Sequence, residues 1–301
     1  MNTVALSLVL SAGFIHAVWN IVAKKAGGDA RFAFFTASVL MLVWAPVGVW
    51  FAWNSVSGWA IFEWSFILAS GILHVLYYVV LLRGYRKSDL TVVYPLARGT
   101  GPLLSSLTAL IWLGESISTM GAFGIAGIIG GVFLIAGGPK ILLNWKIAPD
   151  ASPEDFENHK RRLAGLRYGL LTGVFIASYT LVDGYAVKVV LLSPILVDYL
   201  GNVVRVLFLA PVVLNDRQTA WIHWKKQWKY ALFVGTISPI SYVMVLYAMQ
   251  TAPLSHVAPA REVSMLFAAL IGGHLLGEGD RWIRFLGAIL IATGVVALSI
   301  S

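Results

Sequence analysis

The sequence predicts an all-α integral membrane protein of ten transmembrane helices, arranged as two inverted five-helix repeats. Three observations predict it. Of 301 residues, 58% are hydrophobic and 12% charged, with a mean hydropathy of +0.80, a balance that no water-facing surface of this length tolerates. Apolar runs long enough to cross a hydrocarbon core of about 30 Å recur along the chain, and they are continuous rather than alternating, which selects helices over a closed barrel. The residues on either side of one hydrophilic stretch also overlay each other at a nearly constant offset.

The first run, Val4 to Ala23, has no basic segment before it and exceeds the apolar region of a signal peptide, so it reads as a retained helix. Spans two to five follow at Phe32 to Trp53, Ser65 to Leu82, Leu90 to Leu113 and Met120 to Ala136. Spans six to ten are placed at Leu166 to Ala186, Ile195 to Leu214, Trp228 to Met249, Leu254 to Leu276 and Trp282 to Ser299. Pro149, Pro153 and the charge run Glu154 to Arg162 mark a surface linker. The expected organisation is a first repeat at 1–139, a cytoplasmic linker at 140–165 and a second repeat at 166–301.

The internal repeat lies at an offset of 160 to 165 residues. Gly13 and Ala17 fall on Gly173 and Ala177, and Ala45-Pro46 on Ala210-Pro211. Tyr78, Leu90, Val93 and Pro95 fall on Tyr242, Leu254, Val257 and Pro259, and Arg98 on Arg261. Leu113-Gly114-Glu115 falls on Leu276-Gly277-Glu278, and Gly124 and Gly131 on Gly287 and Gly294. An odd number of spans per half turns the second copy upside down in the bilayer, the plan of many secondary transporters. Charge placement agrees. Lys24, Lys25, Arg83, Arg86, Lys87, Lys160, Arg161, Arg162, Lys225 and Lys226 sit in loops of one side, against Lys188 alone on the other. The positive-inside rule then makes the basic side cytoplasmic and places both termini outside. Trp50, Trp53, Trp64, Trp221, Trp228 and Trp282 cluster at span ends as an interfacial belt.

A net charge of +8 with pI near 9.7 raises nucleic acid as a partner, but the basic residues flank apolar runs and serve as orientation signals, so none is expected. The absence of cysteine excludes disulfides, thiolate metal sites and a cysteine nucleophile. No P-loop, HExxH pair, GxSxG elbow or carboxylate cluster is present, so neither an enzyme, a cofactor nor a bound metal is expected.

Charged residues deep in membrane helices are costly and mark function. Arg98 and Arg261 occupy matching repeat positions, each shortly after a proline, and two converging guanidiniums would clamp a carboxylate or phosphate. The competing assignment pairs them internally, Arg261 with its neighbour Glu262. His16, Asn20 and Lys24 form an i, i+4 polar stripe with Trp19 beside it, which would line a cavity or else bond neighbouring helices. Asp198, Asn202 and Arg205 share a face of span seven, where Arg205 serves either the substrate or a neighbouring acid. Tyr78 and Tyr242, with Tyr77 and His74, offer hydroxyls, rings and an imidazole, or simply pack. The expected substrate-binding set is therefore Arg98, Arg261, Arg205, His16, Trp19, Asn20, Tyr78 and Tyr242, with His16 and Asp183 as candidate proton carriers. Gly121, Gly124, Gly127, Gly130 and Gly131, with Gly287 and Gly294, make small-residue faces for close helix contact, either inside the bundle or in a homodimer.

The paired repeats, the small-residue spans five and ten, the doubled Leu-Gly-Glu and the His-Ala-Val-Trp-Asn run at His16 to Asn20 resemble the EamA branch of the drug/metabolite transporter superfamily. The likeness spans essentially the whole chain, each half resembling one EamA domain. It implies a basket in a bacterial cytoplasmic membrane, with a central cavity lined by spans one, three, four, six, eight and nine. It also implies an exporter of a small polar or amphipathic metabolite, an amino acid or organic anion, working by alternating access. A flippase of lipid-linked sugars and an intramembrane lipid-modifying enzyme are the alternatives. The resemblance implies cytoplasmic termini, against the charge bias.

Overall fold

The computed structural model describes residues 1–88, 90–135, 153–276 and 281–301, and it is all-helical among them. The first half holds α1 (Thr3–Ala26), α2 (Ala30–Val43), α3 (Ala45–Ser55), α4 (Ile61–Lys87), α5 (Leu90–Trp112) and α6 (Thr119–Ile135). The second holds α7 (Pro153–Lys188), α8 (Pro194–Leu214), α9 (Arg217–Thr251), α10 (Leu254–Ala260), α11 (Val263–Leu276) and α12 (Arg281–Ser299). Among the described residues, five helices are long and apolar enough to cross a membrane, or six when the bent α2–α3 pair counts as one span. Trp50, Trp53, Trp221 and Trp282 lie exposed, as residues that meet a bilayer interface do.

The differences from the sequence expectation have local causes. Span two is α2 and α3 bent by 66° at Trp44, where Pro46 enters the first turn of α3 with no N–H to continue α2. Span nine is α10 and α11, broken at Arg261–Glu262 after Pro259. Pro259 cannot donate to the Ser255 carbonyl, and the Ser106 hydroxyl of α5 donates to that carbonyl instead, at 3.1 Å. Short-range bonds carry the chain through the break, from Glu262 N–H to the Pro259 carbonyl at 2.9 Å and from Met265 N–H to the Glu262 carbonyl at 2.8 Å. The stretch from Pro153 onward, expected as linker, is the start of α7, with proline and acids in its first turn where a helix N-terminus favours them. Gly165 on this extension rests against Ser88 and Val92. Residues 136–152, including Lys140, Lys146 and Pro149, and Gly277–Glu278 of the second Leu-Gly-Glu, lie outside the described residues.

Contacts repeat when the halves are exchanged. A Cβ on Gly71 of α4 would meet Val204 at 2.5 Å and the Gly201 carbonyl at 2.9 Å on α8. One on Gly235, the repeat mate of Gly71, would meet Val39 at 2.8 Å and the Thr36 carbonyl at 2.7 Å on α2, the mates of Val204 and Gly201. Likewise Gly13 of α1 abuts Val263 and Ser264 of α11, while Gly173 of α7 abuts Thr100 and Gly101 of α5. The halves therefore interlock: α1 packs on α9 and α11, and α7 on α4 and α5.

The pairing of α6 with α12 lies on the axis of this exchange. Cβ atoms on Gly131 and Gly287 would stand 2.5 and 2.7 Å from each other's carbonyl oxygens, and those on Gly124 and Gly294 2.8 and 2.6 Å. These glycines are spent on each other inside the chain. Gly130 has nothing within 4 Å and Phe123 is exposed, so this side of α6 is unpacked among the described residues.

The two ends of the bundle differ in charge. At one end Met1, Thr251 and Ser301 come together beside Lys188, with the Met1 ammonium 3.2 Å from the Ser299 carbonyl. There Glu115 accepts from the Leu254 and Ser255 N–H groups, each at 2.8 Å, and pairs with Lys188 at 3.0 Å. The Glu of the first Leu-Gly-Glu thus closes the start of α10, and Gly114 supplies the left-handed turn (φ 64°) that aims it. Burial raises the Glu115 carboxyl, but the Ser255 and Leu254 N–H groups, the Ser255 hydroxyl and Lys188 outweigh it and hold it below the usual carboxylate range. At the other end Arg31 bridges Asp29 at 2.8 Å and Asp216 at 3.1 Å, and Lys87 lies over Tyr168.

Candidate functional site

Arg98 stands on α5, and Arg261 and Glu262 stand in the break between α10 and α11, so both halves deliver charge to one place. Arg98 Nη2 lies 2.8 Å from Glu262 Oε2 and donates to Ser264 Oγ at 3.0 Å. Arg261 Nε is farther from the same carboxylate, 3.7 Å from Oε1. Glu262 is 1% exposed, and neither of its oxygens accepts an aligned hydrogen bond among the described residues. Two guanidiniums therefore surround one buried carboxylate. Arg98 Nε also has no acceptor among the described residues. The internal pairing weighed from sequence is present, but the closer partner of Glu262 is Arg98 of the other half.

Aromatic rings wall this centre. The Arg261 guanidinium lies 5.8 Å from the Tyr179 ring centroid on α7, and His74 of α4 stacks on the same ring at 4.1 Å. Tyr77 meets Tyr179 edge-on at 5.7 Å. On α1, His16 lies within the electrostatic reach of Arg98 and Arg261, and its ring contacts Trp19 edge-on at 4.6 Å. The Trp19 indole donates to Ser241 Oγ of α9 at 3.2 Å.

A second polar cluster adjoins the first through His74 and Tyr242. A small cavity, with room for roughly one water molecule, is lined by Ser70, His74, Asp198, Asn202, Arg205 and Tyr242, with Val197 and Gly201. Asn202 Nδ2 donates to the Ala37 carbonyl at 2.8 Å, which fixes the amide and leaves its buried Oδ1 without a donor among the described residues. Beside the cavity the Tyr242 hydroxyl donates to Asp183 Oδ2, and the Ser70 hydroxyl acts on the same buried carboxyl. Arg205 has no carboxylate within 4 Å among the described residues, though it acts electrostatically on Asp198 and His74.

The structure thus brings Arg98 and Arg261 together on Glu262, sets His16 within reach of both arginines with Trp19 against its ring, and places Arg205, Tyr242 and Asp183 at the adjoining cluster. Asn20 joins neither, and Tyr78 borders them only through an edge contact with the Tyr77 ring at 6.4 Å. The Asn20 amide donates back to the His16 carbonyl of its own helix at 2.9 Å, and the Tyr78 hydroxyl reaches the Asp29 carbonyl at 3.3 Å near the basic end. Glu262, Ser264, Tyr179 and Ser70 were not in the expected set. Two of them carried a signal: Glu262 is an acid inside an apolar span, and Tyr179 is the repeat mate of Trp19 at the offset of 160.

The sequence model of the EamA-like transporter family matches residues 3–137 and again 163–300. A solved structure described only as a crystal structure of a protein is similar in fold, with a TM-score of 0.74 at 12% identity over 99% of this chain and 99% of that one.

Proposed function

We propose a cargo for this site on the premise that the chain belongs to the EamA-like transporter family and is a membrane transporter of the drug/metabolite type. The protein is a secondary transporter that exports a small zwitterionic or anionic metabolite, of the amino-acid or organic-anion class, by alternating access. One observation carries this reading. At the α5/α10–α11 centre two guanidiniums face one carboxylate, and the adjoining cluster holds two acids, Asp183 bonded to Tyr242 and Asp198 sharing a cavity with the single cation Arg205. One end of the polar tract thus has a surplus positive charge and the other a surplus negative charge, the pattern a zwitterion satisfies at both ends. A carboxylate on Arg98 and Arg261 would have Tyr179, Trp19 and His16 as walls for an apolar or aromatic remainder. Asp183, fully buried and bonded to Tyr242, is the better-placed proton carrier, and His16 is the second.

The test is counterflow of radiolabelled amino acids and organic anions in proteoliposomes. Flux of at least one such solute, lost in Arg98→Ala and dependent on an imposed pH gradient that Asp183→Asn abolishes, is expected. Absence of flux for every solute of both classes overturns the cargo assignment, and pH-independent flux overturns the coupling. In the cell we place the protein in a bacterial cytoplasmic membrane with its termini outside, because the basic residues gather at the opposite end from Met1 and Ser301. A fluorescent protein that matures only in the cytoplasm, fused after Ser301, should stay dark; bright cells reverse the orientation. For the flippase alternative, an apolar groove between α1 and α9, lined by Thr3, Val4, Ser7, Leu8, Ser11 and Met244, offers a lipid-facing surface, but none of its residues belongs to the arginine centre.

A further inference from the structure

Glu262 is the anomaly of the centre. It is almost wholly buried between two arginines, yet it is held by charge alone, with no aligned hydrogen bond to either oxygen among the described residues. Buried carboxylates are normally anchored by several aligned donors, whereas this one depends on the two arginine charges alone. It also stands in the turn between α10 and α11 rather than inside a helix, where Pro259 has already relieved the backbone of its regular bonding. A side chain on such a joint can withdraw without unwinding a helix. Its partners have unused capacity. Arg98 spends Nη2 on Glu262 and Ser264 while Nε has no acceptor among the described residues, and Arg261 stands off at 3.7 Å over the Tyr179 ring.

We propose that Glu262 occupies the seat of the cargo's carboxylate when the site is empty, and thereby limits the site to cargo carrying one carboxylate. This rests on the reading of the arginine centre as the cargo site. Arriving cargo places its carboxylate on Arg98 and displaces Glu262 toward Arg261, so the two arginines then hold two carboxylates in all. A second carboxylate on the cargo finds no guanidinium left, and Glu262 repels it. The carboxylate of Glu262 is therefore a specificity-determining group that rejects dianionic cargo, in the same way that a pocket rejects a competitor through an unpaired like charge.

The test uses purified full-length protein and near-isosteric ligand pairs that differ in one charge: glutamine with glutamate, and 4-carbamoylphenylalanine with 4-carboxyphenylalanine. Binding is followed by thermal shift. The native protein should favour the neutral-side-chain member of each pair. Glu262→Gln should move the preference toward the acidic member by roughly tenfold or more, the scale of one charge-assisted hydrogen bond. Glu262→Asp keeps the charge and should keep the preference, which guards against a variant that fails through folding. If Glu262→Gln is misfolded, a native-like preference in Glu262→Asp together with a ten-fold shift in Glu262→Ala supports the proposal equally. A native protein that binds the neutral members through Arg98, with no change of preference in either charge-removing variant, overturns the role of Glu262 alone. Failure of every ligand to bind any variant overturns the cargo site itself, and this inference with it.

Discussion

Arg98 and Arg261 occupy the same position in the two repeats and live in different surroundings. After Arg98 comes Gly99 on an unbroken α5; after Arg261 comes Glu262 in a break between two helices. Arg98 forms the short ion pair at 2.8 Å across the halves, whereas Arg261 lies 3.7 Å from the acid beside it and leans on Tyr179. The same divergence separates Tyr242, bound to Asp183, from its mate Tyr78, bound to the Asp29 carbonyl. By contrast, the glycine contacts of α4 with α8 and α9 with α2, and those between α6 and α12, repeat residue for residue. Duplication supplied a symmetric scaffold, and single substitutions at matched positions supplied an asymmetric centre. A clamp built from two identical arginines would have no polarity; one acid makes their roles unequal.

The sharpest way to break this comparison is to remove each arginine in turn. Arg98→Ala leaves the buried Glu262 with only the distant Arg261, and is expected to cost about 3–5 kcal/mol of stability, the usual result of orphaning a buried charge. Arg261→Ala leaves the short pair intact and should cost clearly less. Denaturation in mild detergent measures both, and equal costs would remove the asymmetry. The next effect tests the symmetric part. Gly131→Ala and Gly287→Ala each drive a methyl into the opposing carbonyl and should destabilise by similar amounts, about 1–3 kcal/mol, while Gly130→Ala, facing open space, should be neutral or slightly stabilising. Markedly unequal costs at Gly131 and Gly287 would argue against equivalent halves.

The smallest expected effect concerns the acid outside the bilayer. Glu115→Gln weakens the closure of α10 and the bond to Lys188, and should cost about 1–2 kcal/mol. The folded protein holds this carboxyl below its ordinary value of 4.5, so its contribution is fully present above that pH and fades as the pH falls further and the folded group takes up its proton. Melting temperatures of the native and Glu115→Gln proteins should therefore differ at pH 6 and converge as the pH drops below about 4. A constant difference across that range would assign the loss to packing.

Much of the scaffold was legible because its causes are local or periodic. Apolar runs of the right length give the helices, the offset gives the duplication, and the paired glycines predict where backbones meet. The centre was half legible. Arg98, Arg261 and Arg205 announced themselves as charges inside apolar spans, and His16 with Trp19 by their stripe. Asn20 shared that stripe but bonds its own helix, since a short amide can reach the carbonyl four residues back as easily as a neighbour. Tyr78 was read with Tyr242 by symmetry, which places backbones but not hydroxyl partners. The helical start of α7 was hidden because its first turns are as polar as a loop.

By itself the sequence determined that this chain lives in lipid, folds as two copies of one helical unit and buries arginines at matched positions, since composition, periodicity and repeats are properties of the chain alone. Only the tertiary structure decided that α1 packs with the second half and α7 with the first, and that Glu262 answers Arg98 rather than chiefly its own neighbour. The physical reason is that a charge in a low-dielectric interior is settled by whichever partner comes nearest in space. Adjacency along the chain does not fix that distance, whereas the interlocking of the two halves does.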